Sequence, residues 1–125
     1  MINETALMAA AVLAALATIL GAFGAHAFKK ILPEDKLSSF EVGVRYQWYH
    51  ALALLVVGYQ ADFTLQSVRL ACYFMLIGVL LFSVSIYLLA FANYWKANLK
   101  FLGPITPLGG LLMIMGWVSL LVSFI

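Results

Sequence analysis

The chain has 125 residues, 66% of them hydrophobic and 10% charged, with a formal net charge of +2 and a mean hydropathy of +1.06. These values exclude a soluble globular domain and a nucleic-acid binder, and the length allows one domain. Beyond Glu4, the charges fall between Lys29 and Arg45, between Asp62 and Arg69, and at Lys96 and Lys100, which leaves four apolar blocks.

Each block supplies the ~20 residues that cross ~30 Å of hydrocarbon. The predicted fold is all-α, an integral membrane four-helix bundle, because open sheet edges find no partner in lipid. A single transmembrane domain spans 1–125, with helices near 5–28, 44–61, 69–92 and 104–124. In the first block, Ala25-His26-Ala27 has the small-x-small form of a signal-peptide cleavage site. A leading segment without Lys or Arg, and with Glu4, argues against cleavage.

Between the first two helices, ILPEDKLSSFEVGVR is the one stretch that resembles soluble protein. Pro33 followed by Glu34 and Asp35 is a helix start, with acids where the dipole favours them. Ser38-Ser39-Phe40-Glu41 offers a capping box, and Glu41 stands one turn before Arg45. The reading is a short interfacial helix between helices one and two, with Leu37, Phe40 and Val44 facing the membrane or the bundle.

YQWYHALALL (46–55) opens the second helix with polar and aromatic residues, FSVSIYLL follows in the third, and LGPITPLGG opens the fourth. Thr106-Pro107 reads as N-cap and first helical residue, although Gly103-Pro104 could start the helix earlier. Small residues recur every seven positions: Ala10, Ala17, Gly24; Ala51, Gly58; Ala71, Gly78, Ser85, Ala92; Gly109, Gly116, Ser123. Such stripes let backbones approach closely in lipid. Lone Cys72 forms no internal disulfide and reads as a small apolar filler.

At ~1.5 Å per residue, His26 lies ~4.5 Å inward of Lys29, His50 ~7.5 Å inward of Arg45, Tyr87 ~9 Å inward of Asn93 and Thr106 ~9 Å inward of Lys100. The matching depths predict one polar cluster of His26, Tyr46, Gln47, Tyr49, His50, Ser83, Tyr87 and Thr106 near the charged end. Unpaired, such groups would cost several kcal/mol each in hydrocarbon. Trp48 and Trp95 read as an aromatic belt.

GAFGAHAF, YQWYHALALL, FSVSIYLL and LGPITPLGG followed by GW, in that order and over essentially the whole chain, resemble a small membrane-protein family of unknown function. It contains the bacterial YgdD and YwdK type proteins and eukaryotic transmembrane protein 256. Val84 stands where that resemblance implies the glycine of an FSGS-like pattern. The resemblance implies a four-span membrane protein and brings no reaction, ligand or catalytic residue.

His26 and His50 are the metal, haem or proton-transfer candidates, since ionisable groups inside a membrane are functional candidates by default. Two histidines without a nearby cysteine or buried carboxylate make a weak metal signal, so no cofactor is predicted and helix registration is the preferred role. No catalytic residue is assigned, because no nucleophile and base stand at a known spacing, nor is there a phosphate loop. The preferred function is a non-enzymatic structural or accessory bundle. The alternative is binding or transport of a small molecule, lipid or anion through the cluster, with an intramembrane histidine enzyme ranked last. Expected partners are the lipid bilayer and a homo-oligomer or larger membrane complex, with no nucleic acid. Loops 28–44 and 93–103 hold six of the seven Lys and Arg residues when Arg45 beside the first loop is counted. The positive-inside rule therefore predicts an inner or plasma membrane protein with those loops cytoplasmic and both termini extracytoplasmic.

Overall fold

The computed structural model describes residues 2–125, the side chain of Ala25 excepted. No strand occurs among them. Helix α1 runs Glu4–His26; the Asn3 side chain caps it by accepting the Ala6 N–H at 2.9 Å, and Glu4 occupies the first turn. A single 3₁₀ turn, Phe28–Lys30, leads to α2, Glu34–Gln60. Helix α3 spans Gln66–Phe91 and contains a π-helical turn at Leu80–Val84. A second 3₁₀ turn, Lys100–Leu102, precedes α4, Ile105–Val122.

The stretch read as a separate interfacial helix is instead the first part of α2. Pro33 and the two acids start it, as their chemistry demands, but nothing at Ser38 or Ser39 interrupts it, and 27 residues run on as one helix. In α4, Pro104 takes the cap position and Thr106 lies inside the first turn, so its hydroxyl is free to cross to another helix.

Among the described residues, three segments are long and apolar enough to cross a membrane: Glu4–Gly24, Gln66–Phe91 and Lys100–Val122. Helix α2, with its charged first part, lies antiparallel along α1. Gly24 meets Phe40 and Gly21 meets Val44, and at the far end the Asn3 N–H bonds the Gly58 carbonyl at 2.8 Å. Helices α3 and α4 form the second close pair.

The small-residue stripes lie inside the bundle, with only Ser123 at the end of α4 half-exposed. Ala10, Ala17, Ala51, Ala71 and Ser85 are at most 2% exposed, and all the stripe glycines are buried. Between α3 and α4 the contact is backbone on backbone. A Cβ at Gly78 would lie 2.7 Å from the Met113 nitrogen, and one at Gly109 would lie 2.7 Å from the Gly78 carbonyl oxygen and collide with the Phe82 nitrogen. Val84, where the resemblance implies glycine, is 45% exposed and leaves this contact untouched. One core cluster joins Ala10, Leu13, Ala51, Leu54, Met75, Val79 and Met113 from all four helices. A second, nearer the charged loops, gathers Ala17, Leu32, Phe40, Val44, Ala90 and Phe91. Phe28 packs edge-on to Phe40 and Phe91 at centroid distances of 5.2 and 4.9 Å there. Phe40 and Val44 therefore face the bundle, and Trp48 is half-buried against the same cluster.

Candidate functional site

Residues 43–50 of α2 hold hydrogen bonds to each of the other three helices. The Gly43 carbonyl accepts from the Ser83 hydroxyl of α3 at 2.7 Å. Gln47, 4% exposed, donates from Nε2 to the Leu13 carbonyl of α1 at 2.8 Å, and its Oε1 accepts from the Tyr87 hydroxyl of α3 at 2.6 Å. His50, also 4% exposed, accepts at Nε2 from the Trp117 indole N–H of α4 at 3.1 Å. Its Nδ1 stands 2.8 Å from the Tyr46 carbonyl one turn back. A carbonyl only accepts and an indole N–H only donates, which assigns the ring proton to Nδ1 and the lone pair to Nε2.

Two backbone features make room for these bonds. Gly43 leaves space for the Tyr87 ring, since a Cβ there would lie 2.7 Å from Tyr87 Cε1. The π turn sits where the Gly109 backbone meets Phe82, and such turns loosen the carbonyl ladder. The Ser85 hydroxyl bonds the Phe82 carbonyl at 2.9 Å and meets the Thr106 hydroxyl at 2.6 Å, tying α3 to α4. Ser83 and Tyr87 thus serve α2 while Ser85, between them, serves α4. Among the described residues no buried side-chain nitrogen or oxygen lacks a hydrogen-bond partner.

The structure brings Gln47, Ser83 and Tyr87 together, sets His50 beside them on α2, and places Thr106 on Ser85. It does not bring in His26. That residue is exposed at the end of α1, beyond Gly24, which packs on Phe40. His50 lies ten residues further along α2 than Phe40, a rise of about 15 Å. The expected meeting of His26 with His50 is therefore corrected. The depth count began helix two at residue 44, whereas α2 begins at Glu34 and Arg45 is already three turns inside it. Neither the Tyr46 nor the Tyr49 hydroxyl hydrogen-bonds the cluster among the described residues, although the Tyr46 ring stacks on His50 at 6.5 Å. The two tyrosines are 39% and 52% exposed and pack edge-on to each other at 5.5 Å; Tyr46 contributes its carbonyl to His50 and its ring to Phe82.

Ser85 and Trp117 are the polar partners that the sequence did not single out. Ser85 was visible only as a member of a small-residue stripe. An indole N–H must find an acceptor when removed from water, and that requirement was the available signal for Trp117. His50 and Trp117 border a lateral groove between α2 and α4 that Phe82, Gly110 and Ile114 also line. Among the described residues no group of three or more His, Cys, Asp or Glu could hold a metal ion.

A family model described as a protein of unknown function, DUF423, matches residues 20–110. The chain is 41% identical over 115 residues to the UPF0382 membrane protein YwdK of Bacillus subtilis, covering 90% of this chain and 89% of that one. It is 40% identical over 116 residues to the UPF0382 membrane protein SH2409 of Staphylococcus haemolyticus, covering 90% and 91%. A UPF0382 membrane protein of Haemophilus influenzae is 43% identical over 101 residues, covering 81% and 77%. No solved structure matches the chain.

Proposed function

Starting from the chain's membership of the DUF423 family of uncharacterised membrane proteins, we propose that its polar layer is a fastening: it registers four helices so that their outer faces can serve as a structural or accessory surface in the membrane. The observation that carries this reading is the complete pairing of the layer, with α2 bonded to α1, α3 and α4 within eight residues. A transport path or catalytic site keeps polar groups in reserve for its ligand, whereas these groups are engaged with one another. Both nitrogens of His50 have protein partners, so metal ligation or acid–base work there would first have to break one of those contacts.

Gln47→Leu tests the proposal. It removes two bonds and leaves the half-buried Tyr87 hydroxyl without its acceptor, so unfolding stability should fall by about 1–2 kcal/mol. Mass spectrometry of the purified proteins should find the same bound small molecules in wild type and variant. A compound held by the wild type and lost from Gln47→Leu would replace the fastening with a binding site.

The same proposal includes an orientation and an assembly. Lys29, Lys30, Lys36, Lys96 and Lys100 belong to the end where α1 meets α2 and α3 meets α4, and Arg69 alone serves the other end. The positive-inside rule then assigns the lysine-rich end to the cytoplasm and both termini to the opposite side of an inner or plasma membrane. Four helices enclose little interior, so the working surface is the outside of the bundle, turned toward lipid, further copies of the chain or a larger membrane complex.

A further inference from the structure

At the end opposite the lysines, α1 and α3 leave a groove of about 210 Å³. It exists because α1 pairs with α2 and α3 with α4, and because α1 presents only the short side chains of Thr5, Ala6 and Ala9 there, with its cap Asn3 above them. Cys72 and Leu76 of α3 form the facing wall, and Leu54 of α2 lines the groove between them. Arg69 stands at the mouth, in the first turn of α3, and Leu76 lies seven residues, about 10 Å, deeper. The groove thus runs from the start of α3 toward the apolar middle of the bundle.

Arg69 is held with one side of its guanidinium. Both of its protein contacts, to the Phe63 carbonyl at 2.6 Å and the Thr64 carbonyl at 2.8 Å, come from a single nitrogen, Nη1. Arginine carries five N–H donors in a planar fork, so the Nε and Nη2 edge keeps three. Asp62, the acid in the adjoining loop, is itself engaged, accepting at Oδ1 the Thr64 N–H at 2.9 Å and the Thr64 hydroxyl at 2.6 Å. Those two bonds also hold its carboxyl below the usual carboxylate range.

We propose that this groove is a glycerophospholipid site, with the lipid phosphodiester on the open edge of Arg69 and the upper part of one acyl chain between Ala6, Ala9, Cys72 and Leu76. The occupant follows from charge and shape together. A planar donor edge matches two phosphate oxygens, and the mainly apolar slot beneath it, bounded on the α1 side by Thr5 at the top and by the Ala6 and Ala9 methyls, accepts a hydrocarbon chain. Neither half alone selects this ligand. The site is separate from the polar layer and does not depend on the function proposed for it.

The test is native mass spectrometry of the full chain in detergent, titrated with phosphatidylglycerol and, separately, with diacylglycerol of the same chains. Wild type should retain phosphatidylglycerol and not diacylglycerol. Loss of a bidentate charged contact in Arg69→Gln should weaken retention about tenfold or more. Ala9→Leu, which fills the slot and leaves the loop and Arg69 alone, should weaken it comparably, and Arg69→Lys should restore part of the loss. Thermal unfolding of each variant, compared in lipid-free detergent, separates a folding defect from lost binding, and Ala9→Leu decides the matter if Arg69→Gln fails to fold. Equal retention of diacylglycerol, displacement of the lipid by inorganic phosphate, or unchanged retention in Ala9→Leu would each overturn the site.

Discussion

A glutamine side chain offers two donors and a carbonyl with two lone pairs, and at Gln47 the two ends serve different helices, the amide nitrogen α1 and the carbonyl α3. Gln47, three residues before His50, was legible as sharing its inward face, because i and i+3 are neighbours on a helix. Its acceptor was not, because a backbone carbonyl such as that of Leu13 carries no signature in the sequence. The His50–Trp117 pair makes the same point, and it can be measured. Trp117→Phe should destabilise by about 1 kcal/mol, as should removal of the histidine acceptor in His50→Leu. The double variant should cost less than the sum, because each single change already breaks the shared bond. Strict additivity in a denaturant or thermal cycle would show that the two rings do not interact.

The small-residue stripes were legible at the scale of the helix because their period of seven is independent of where each helix begins. Boundaries were harder. The charges of residues 34–45 read as an interruption, yet a helix that leans on α1 can carry its charged face outward, where Glu41 and Arg45 are both exposed, while Phe40 and Val44 point in. The π turn was illegible; it coincides with the close approach of Gly109 to the backbone at Phe82, a contact between segments far apart in the chain that no local sequence pattern records. Gly78→Ala and Gly109→Ala should each destabilise by about 2 kcal/mol or more, since the new methyl meets backbone atoms that have no rotamer with which to yield. Val84→Leu, on the exposed face, should change stability by less than about 0.5 kcal/mol. Thermal unfolding of the three variants checks the contrast; equal losses would mean that the α3–α4 contact is not the tight one.

For the whole molecule, composition and charge spacing were enough to read a membrane-embedded helical bundle, because hydrocarbon permits so few alternatives. The inferred orientation has a direct test. A fluorescent reporter that matures only in the cytoplasm should stay dark when fused after Ile125 and should light when inserted in the loop near Lys96; the opposite pattern would invert the bundle. The arrangement of the cluster, by contrast, depended on how the four helices align, and a ten-residue difference in where α2 begins was enough to separate His26 from His50. The hydrogen bond between Asn3 and Gly58, with α2 laid along α1 from end to end, also bears on biogenesis. Helix α2 is not among the segments apolar enough to cross by themselves, and while it is alone its Gln47 and His50 have no interhelical partners. Helix α1 covers one face of α2 and supplies the Leu13 carbonyl to Gln47, so on the proposed membrane arrangement the α1–α2 hairpin, rather than α2 alone, is the unit expected to insert during synthesis.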